Sequence, residues 1–214
     1  MPSLRIHIIR HGETNWNHEK RWQGQLDPPL NERGIQQAQL LARYLQTCPI
    51  TAIYTSDLQR AYVTAETIGS ALDLRPQTDP RIREMHLGVL QGLTIGEIQA
   101  RYPHELASLR DDWLDHRIEG GENRRMVQSR AYALFEEIAA REPGPEVVLV
   151  AHGGVVRVLL HRLFPGSAAA KQTPIENTSL TTVVRANGDW ELERLAETPH
   201  LTPHTPPHGA IEAQ

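Results

Sequence analysis

Glu146-Val147-Val148-Leu149-Val150-Ala151-His152-Gly153-Gly154 is the stretch that decides the fold. After Glu146, Val147 to Ala151 are apolar at successive rather than alternate positions, the pattern of a strand buried on both faces of a parallel sheet. The glycines mark a turn, and Val155 to Leu163 continues as a helix. The same order occurs at the start of the chain, where Leu4 to Ile9 reads as a short buried strand ending at Arg10-His11-Gly12. It occurs again at Thr51 to Thr55, a β-rich run followed by a helix with Leu58, Ala61, Ala65 and Ile68 on one face and Ser56 or Asp57 as its cap. Between them, Ile35, Ala38, Leu41, Ala42 and Leu45 recur at helical spacing from Asn31, a suitable N-cap, until Pro49 forbids continuation. This grammar predicts an α/β fold, a three-layer α/β/α arrangement around a mostly parallel central sheet.

The remaining segments fit around that sheet. Thr94 to Arg101 and His104 to Asp115 read as short helices broken by Pro103, so residues 85–123 are expected to form a short helical lid. Arg124 to Arg141 reads as a longer helix with Val127, Ala131, Leu134, Phe135 and Ile138 inward. Thr178 to Val184 and Trp190 to Leu195 alternate across Asn187-Gly188, a hairpin that would finish the sheet on an antiparallel edge. A single domain is expected over 1–197. Residues 198–214 hold four prolines and almost no large apolar side chains, the composition of a flexible tail. His200, His204 and His208 are spaced by four, but Pro203, Pro206 and Pro207 spoil the helix that would align them on a metal, and a solvated extension is expected.

Composition narrows the class. A chain of 214 residues, 39% apolar and 22% charged, has enough apolar material for one sizeable core. No run approaches the length of a membrane-spanning helix and the first ten residues lack the form of a signal peptide, so a cytoplasmic protein without a membrane partner is expected. The single cysteine, Cys48, agrees with a reducing compartment. The 22 basic residues are outnumbered by 26 acidic ones and scattered, which argues against nucleic acid as a partner. A net charge of -4 still allows a local basic cleft for an anion. A homodimer is the generic prior for oligomers, and no residue pattern decides it.

Two His-Gly sites stand where a strand meets a helix, at His11 and His152. In a parallel sheet the strand C-termini share one edge, so the two imidazoles are expected to face a common crevice. Arg10 adjoins His11, and Arg60 lies in the first turn of its helix, where backbone N–H groups also favour an anion. Each alone reads as a surface arginine or a structural histidine; the pairing points to a phosphate site.

At these residues the sequence resembles the histidine phosphatase superfamily, also called phosphoglycerate mutase-like. The opening match is Arg10-His11-Gly12-Glu13-Thr14-Asn15-Trp16-Asn17, continuing through Gln23-Gly24-Gln25-Leu26-Asp27 and Arg33-Gly34. Further blocks are Thr55-Ser56-Asp57-Leu58-Gln59-Arg60-Ala61, Glu84 with Gly88 and Gln91-Gly92-Leu93, Gly120-Gly121-Glu122, and Val150-Ala151-His152-Gly153-Gly154. The resemblance implies that His11 is the nucleophile, that Arg10, Arg60 and a protonated His152 hold the phosphate, and that Glu84 donates and accepts the proton. It also places Asn17, Gln23 and Gly24 near the phosphate. Neutral imidazole is nucleophilic near pH 7, and the arginines would take the place of a metal, so no metal or other cofactor is expected. Glu13 is an alternative acid, better read as a helix-start carboxylate.

The implied activity is that of a metal-independent phosphatase of small phosphorylated metabolites. The stretch between Gly92 and Glu122 is shorter than in the cofactor-dependent mutases of the family, and Leu87 precedes Gly88 where those carry tyrosine; Gln91-Gly92-Leu93 looks mutase-like, so phosphoglycerate mutase stays as the alternative. The stretch from Arg21 to Gly34 resembles phosphoserine phosphatases of bacteria, with broad sugar-phosphate phosphatases close behind. His86, His104, His116 and Arg117 are candidates to line the lid. A phosphate-binding module without catalysis is a third reading, opposed by the joint presence of His11, Glu84, His152 and both arginines.

Overall fold

The computed structural model describes residues 4–141, 144–186 and 188–202. In chain order the elements are β1 (Leu4–Arg10), α1 (Asn15–His18), α2 (Glu32–Leu45), β2 (Ile50–Thr55), α3 (Gln59–Leu72), β3 (Gln77–Thr78), α4 (Ile95–Arg101), α5 (Pro103–Asp111), α6 (Arg124–Arg141), β4 (Glu146–Ala151), α7 (Gly153–Leu163), α8 (Ala168–Gln172), β5 (Leu180–Ala186) and β6 (Asp189–Glu197). The strands form one sheet in the order β3-β2-β4-β1-β5-β6. β3, β2, β4 and β1 run parallel, while β5 is antiparallel to β1 and β6 to β5. The antiparallel edge is thus a two-stranded hairpin, as its alternating pattern implied; Asn187 of its turn lies outside the described residues.

β4 is buried along its whole length and divides the core in two. Val148 and Val150 face one side with Ile9, Leu41, Leu45 and Ile68, under α2 and α3. Val147, Leu149 and Ala151 face the other with Ile6, Ile8, Phe135 and Leu159, under α6 and α7. Helices therefore cover both faces. The polar exception in β1, His7, bonds to Glu146 Oε2 at 2.9 Å and Thr182 Oγ1 at 3.0 Å on its two neighbouring strands.

Several boundaries differ from the sequence expectation for physical reasons. Ile35 is 42% exposed, because Gly34 and Gln37 hold the inward face of α2 instead. A Cβ at Gly34 would stand 2.1 Å from the Glu13 carbonyl oxygen, so only glycine lets the helix approach there. Neither Ser56 nor Asp57 is the cap of α3; Leu58 holds that position, and Asp27 of a distant loop accepts from Gln59 N at 2.8 Å. Asp57 pairs with Arg83. The two lid helices do break at Pro103: α4 ends at Arg101, and Pro103 itself opens α5, where its missing N–H costs nothing, with α5 ending at Asp111 rather than Asp115. The lid is anchored by Ile98, Leu106, Leu109 and Ile118, all buried in the α6/α7 core. The ordered chain also runs past Glu197: Pro199–Leu201 forms a 3-10 turn, and His200 meets Thr178 Oγ1 at 3.0 Å. His204, His208 and the rest of 203–214 lie outside the described residues.

Phe135 is fully buried, with its ring 4.7 Å from Trp190 of β6 and 6.2 Å from Tyr132. Phe135→Ala is expected to lower the unfolding free energy by about 3–5 kcal/mol, measured by urea denaturation.

Candidate active site

The parallel pairing of β1 and β4 sets the site. Arg10 lies opposite Ala151 in the register, and the His11 N–H donates to the Ala151 carbonyl at 3.0 Å. The next residue of each strand is the histidine, and the two rings meet edge to face with centroids 5.2 Å apart. They lie at a cleft of about 590 Å³ whose wall includes Arg10, His11, Asn17, Gln23, Gly24, Arg60 and Glu84. Of the expected site residues, His152 alone stays behind this wall, fully buried against His11.

His11 is held in one tautomer. Its Nδ1 lies 2.7 Å from the Gly12 carbonyl, which can only accept, so Nδ1 carries the hydrogen and Nε2 presents a lone pair. The Arg60 Nε–H points at that Nε2 from 3.3 Å. Burial, then the charges of Arg60 and Arg10, keep the His11 imidazole well below its ordinary pKa and therefore neutral. The same burial and the same arginines hold His152 well below its ordinary value. Burial first, and the neighbouring guanidiniums second, oppose the protonated His152 expected from sequence as long as no anion lies beside it.

Arg60 is 1% exposed and donates to the carbonyls of Gly24 at 2.7 Å and Leu26 at 2.8 Å. Burial lowers its pKa to about 10, which leaves it charged at neutral pH. Arg10 donates from Nη1 to the Ile175 carbonyl at 2.6 Å. Arg10 Nε and both ring nitrogens of His152 are buried without a hydrogen-bond partner among the described residues. Such donors are rare in folded interiors and suit a site that receives an anion.

Glu84 also lines the cleft. Its Oε1 accepts from Met85 N at 2.8 Å and its Oε2 from Gly154 N at 3.0 Å. A Cβ at Gly154 would stand 2.2 Å from Glu84 Oε1, so the second glycine after His152 makes room for the carboxylate. Glu13 does not line the cleft; it accepts from Asn31 Nδ2 at 3.0 Å and stands before the cap of α1 rather than in the first turn of that helix. Asn17 closes a capping box with Thr14, and its Oδ1 also accepts from Asn177 at 3.2 Å. His86, His104, His116 and Arg117 do not line the cleft; His116 pairs with Glu105 at 2.7 Å, and His104 is exposed.

Three residues that sequence reasoning passed over complete the site. Asn177 Nδ2 ties the His11 carbonyl at 3.0 Å to that of Gly12 at 3.2 Å; it sits in a loop where no periodicity marks it. Arg130 clamps the backbone before and at Glu84, donating to the carbonyls of Arg81, Arg83 and Glu84 and pairing with Glu122 at 3.0 Å. Its position three residues after Val127 and four before Leu134, a charge on the inward stripe of α6, was the available signal. Trp113 brings the lid to the cleft wall.

Known proteins bear the same pattern. A model described as Histidine phosphatase superfamily (branch 1) matches residues 6–198. Glucosyl-3-phosphoglycerate phosphatase of Mycobacterium tuberculosis is 40% identical over 187 residues, covering 83% of this chain and 79% of its own. Phosphoglycerate mutase-like protein 4 of Arabidopsis thaliana is 37% identical over 200 residues, covering 92% and 86%. The native structure of mycobacterial glucosyl-3-phosphoglycerate phosphatase superposes with a TM-score of 0.81 at 35% identity, covering 91% of this chain and 99% of that one.

In an NMR pH titration, His11 is expected to protonate well below the usual histidine range. Arg60→Gln removes a repelling charge and should move that transition upward. An unchanged transition would mean that burial alone sets it.

Proposed function

The chain belongs to the histidine phosphatase superfamily, branch 1, and on that premise we propose that it hydrolyses small phosphomonoesters without a metal ion, through a phosphohistidine at His11. The observation that carries this reading is the lone pair of a neutral His11 Nε2, held beside the guanidinium of Arg60 in a cleft that Glu84 also lines.

Two displacements follow. His11 Nε2 attacks phosphorus while the bond to the ester oxygen breaks, and the protonated Glu84 carboxyl gives its hydrogen to the leaving alkoxide. Arg10 and Arg60 face the negative charge of the transferred oxygens, and a ring N–H of His152, unpartnered among the described residues, adds a neutral donor. Ionised Glu84 then accepts a proton from water as that water attacks the phosphohistidine. The P–N bond breaks, phosphate leaves, and His11 and protonated Glu84 are restored. Preorganised arginines supply the electrostatic stabilisation that magnesium supplies in many phosphoryl-transfer sites.

The substrate in this reading is a phosphoserine, phosphoglycerate or sugar-phosphate type of ester, and the compartment is the cytoplasm. The names of the relatives divide between phosphatase and mutase-like. The short lid and the structural neighbour named a phosphatase favour water as the acceptor.

Phosphate release measured with excess EDTA on these esters tests the proposal. Wild type should be active, His11→Ala should fall to background, and Glu84→Gln should lower kcat by about 10²–10⁴-fold. Interconversion of phosphoglycerates after priming with bisphosphoglycerate, with no net phosphate release, would establish the mutase instead.

A further inference from the structure

The cleft carries more positive charge than the phosphoryl group uses. Its wall includes Arg10, Lys20, Arg21, Arg60, Arg124 and Arg157 against one carboxylate, Glu84, in a chain of net charge -4. Arg10 and Arg60 belong to the phosphoryl pocket. Arg21 is neutralised by Glu19 at 3.2 Å and Glu97 at 3.0 Å. Arg157 donates to the carbonyls of Ala170, Lys171 and Thr173, which fixes the turn around α8.

Arg124 is placed differently. It opens α6, half buried, and its guanidinium carbon stands 5.0 Å from the centroid of the Trp113 ring. Among the described residues its one hydrogen bond runs from Nη1 to the Trp113 carbonyl at 2.6 Å, and no carboxylate pairs with it. Arginine carries five N–H donors in a rigid fork, so most of this fork is unmatched by protein. The ring contact holds its guanidinium at the wall of the cleft, where the Glu84 carboxylate is near enough to act on its charge. A partly desolvated guanidinium with donors left free for a ligand suits a planar oxyanion. Trp16, Trp22 and Leu87 on the same wall leave apolar surface for the carbon frame between the two charged ends of a ligand.

We propose that Arg124 is a specificity-determining residue, binding a second oxyanion carried by the alcohol portion of the phosphomonoester. This rests on the phosphatase reading above and names the substrate class within it: esters bearing a carboxylate or a further phosphate besides the group that is hydrolysed.

The test compares kcat/KM for 3-phosphoglycerate with that for glycerol 3-phosphate, in which a hydroxymethyl group replaces the carboxylate, and for fructose 1,6-bisphosphate with fructose 6-phosphate. Wild type should prefer the doubly anionic member of a pair by about 10–100-fold, the size of a charge-assisted hydrogen-bonded contact. Arg124→Gln should collapse that ratio, mainly through KM, and Arg124→Lys should retain part of it. Preference in the first pair identifies a carboxylate; preference confined to the second identifies a phosphate. Equal loss on both members of each pair, with the ratio kept, would show that Arg124 only supports the lid and would overturn the assignment. Turnover of all four esters without preference would overturn it while leaving the phosphatase reading intact; turnover of none would remove both.

Discussion

A single buried charge organises the site. Arg60 is almost wholly removed from water, and an unpaired guanidinium in such a place would cost several kcal/mol. Carbonyls of Gly24 and Leu26 and the Asp27 carboxylate at 3.4 Å satisfy it, which ties the 23–27 loop to α3 and makes that loop part of the cleft wall. Gly24 takes a φ of +55°, and a side chain there would run into Gln91. Asp27 from the same loop accepts from the N-terminus of α3, so loop and helix hold each other. One Arg60 nitrogen remains for His11, and its charge helps to keep that ring neutral. The arrangement that attracts a phosphate thereby keeps the nucleophile unprotonated.

Each of the other reacting groups has its own anchor. The β1/β4 pairing fixes the two histidines, and Asn177 ties the backbone just beyond His11. Arg130 and Gly154 fix Glu84 from opposite directions, one by clamping its backbone and one by leaving space for its carboxylate while donating to it. Groups held this way need little rearrangement as charge moves in a transition state, which is how preorganised sites lower barriers.

Much of this was legible in the sequence because the relevant signals are local. The unbroken apolar run of β4, its His-Gly-Gly ending and the matching end of β1 placed the sheet and both histidines. The bounds of α6 also agree with its periodicity. What escaped was decided by distant partners. Ile35 fits a helical stripe, yet close packing of Gly34 on Glu13 rotates it outward. The N-terminal donors of α3 are met by Asp27 from another loop, so local cap rules misassigned Ser56 and Asp57. Asn177 reaches the His11 backbone and Trp113 the cleft wall through loop and lid geometry that no periodicity encodes. The lowered pKa of His152 comes from burial first and then from guanidiniums brought beside it only by folding.

The central claim is that His11 takes the phosphoryl group. Rapid quench of the enzyme with a slowly hydrolysed phosphomonoester, under alkaline conditions that preserve phosphoramidates, followed by peptide mass spectrometry, tests it directly. The account predicts phosphate on His11 in wild type and none in His11→Ala. Steady phosphate release with no label on His11, or a label carried by another residue, would contradict it.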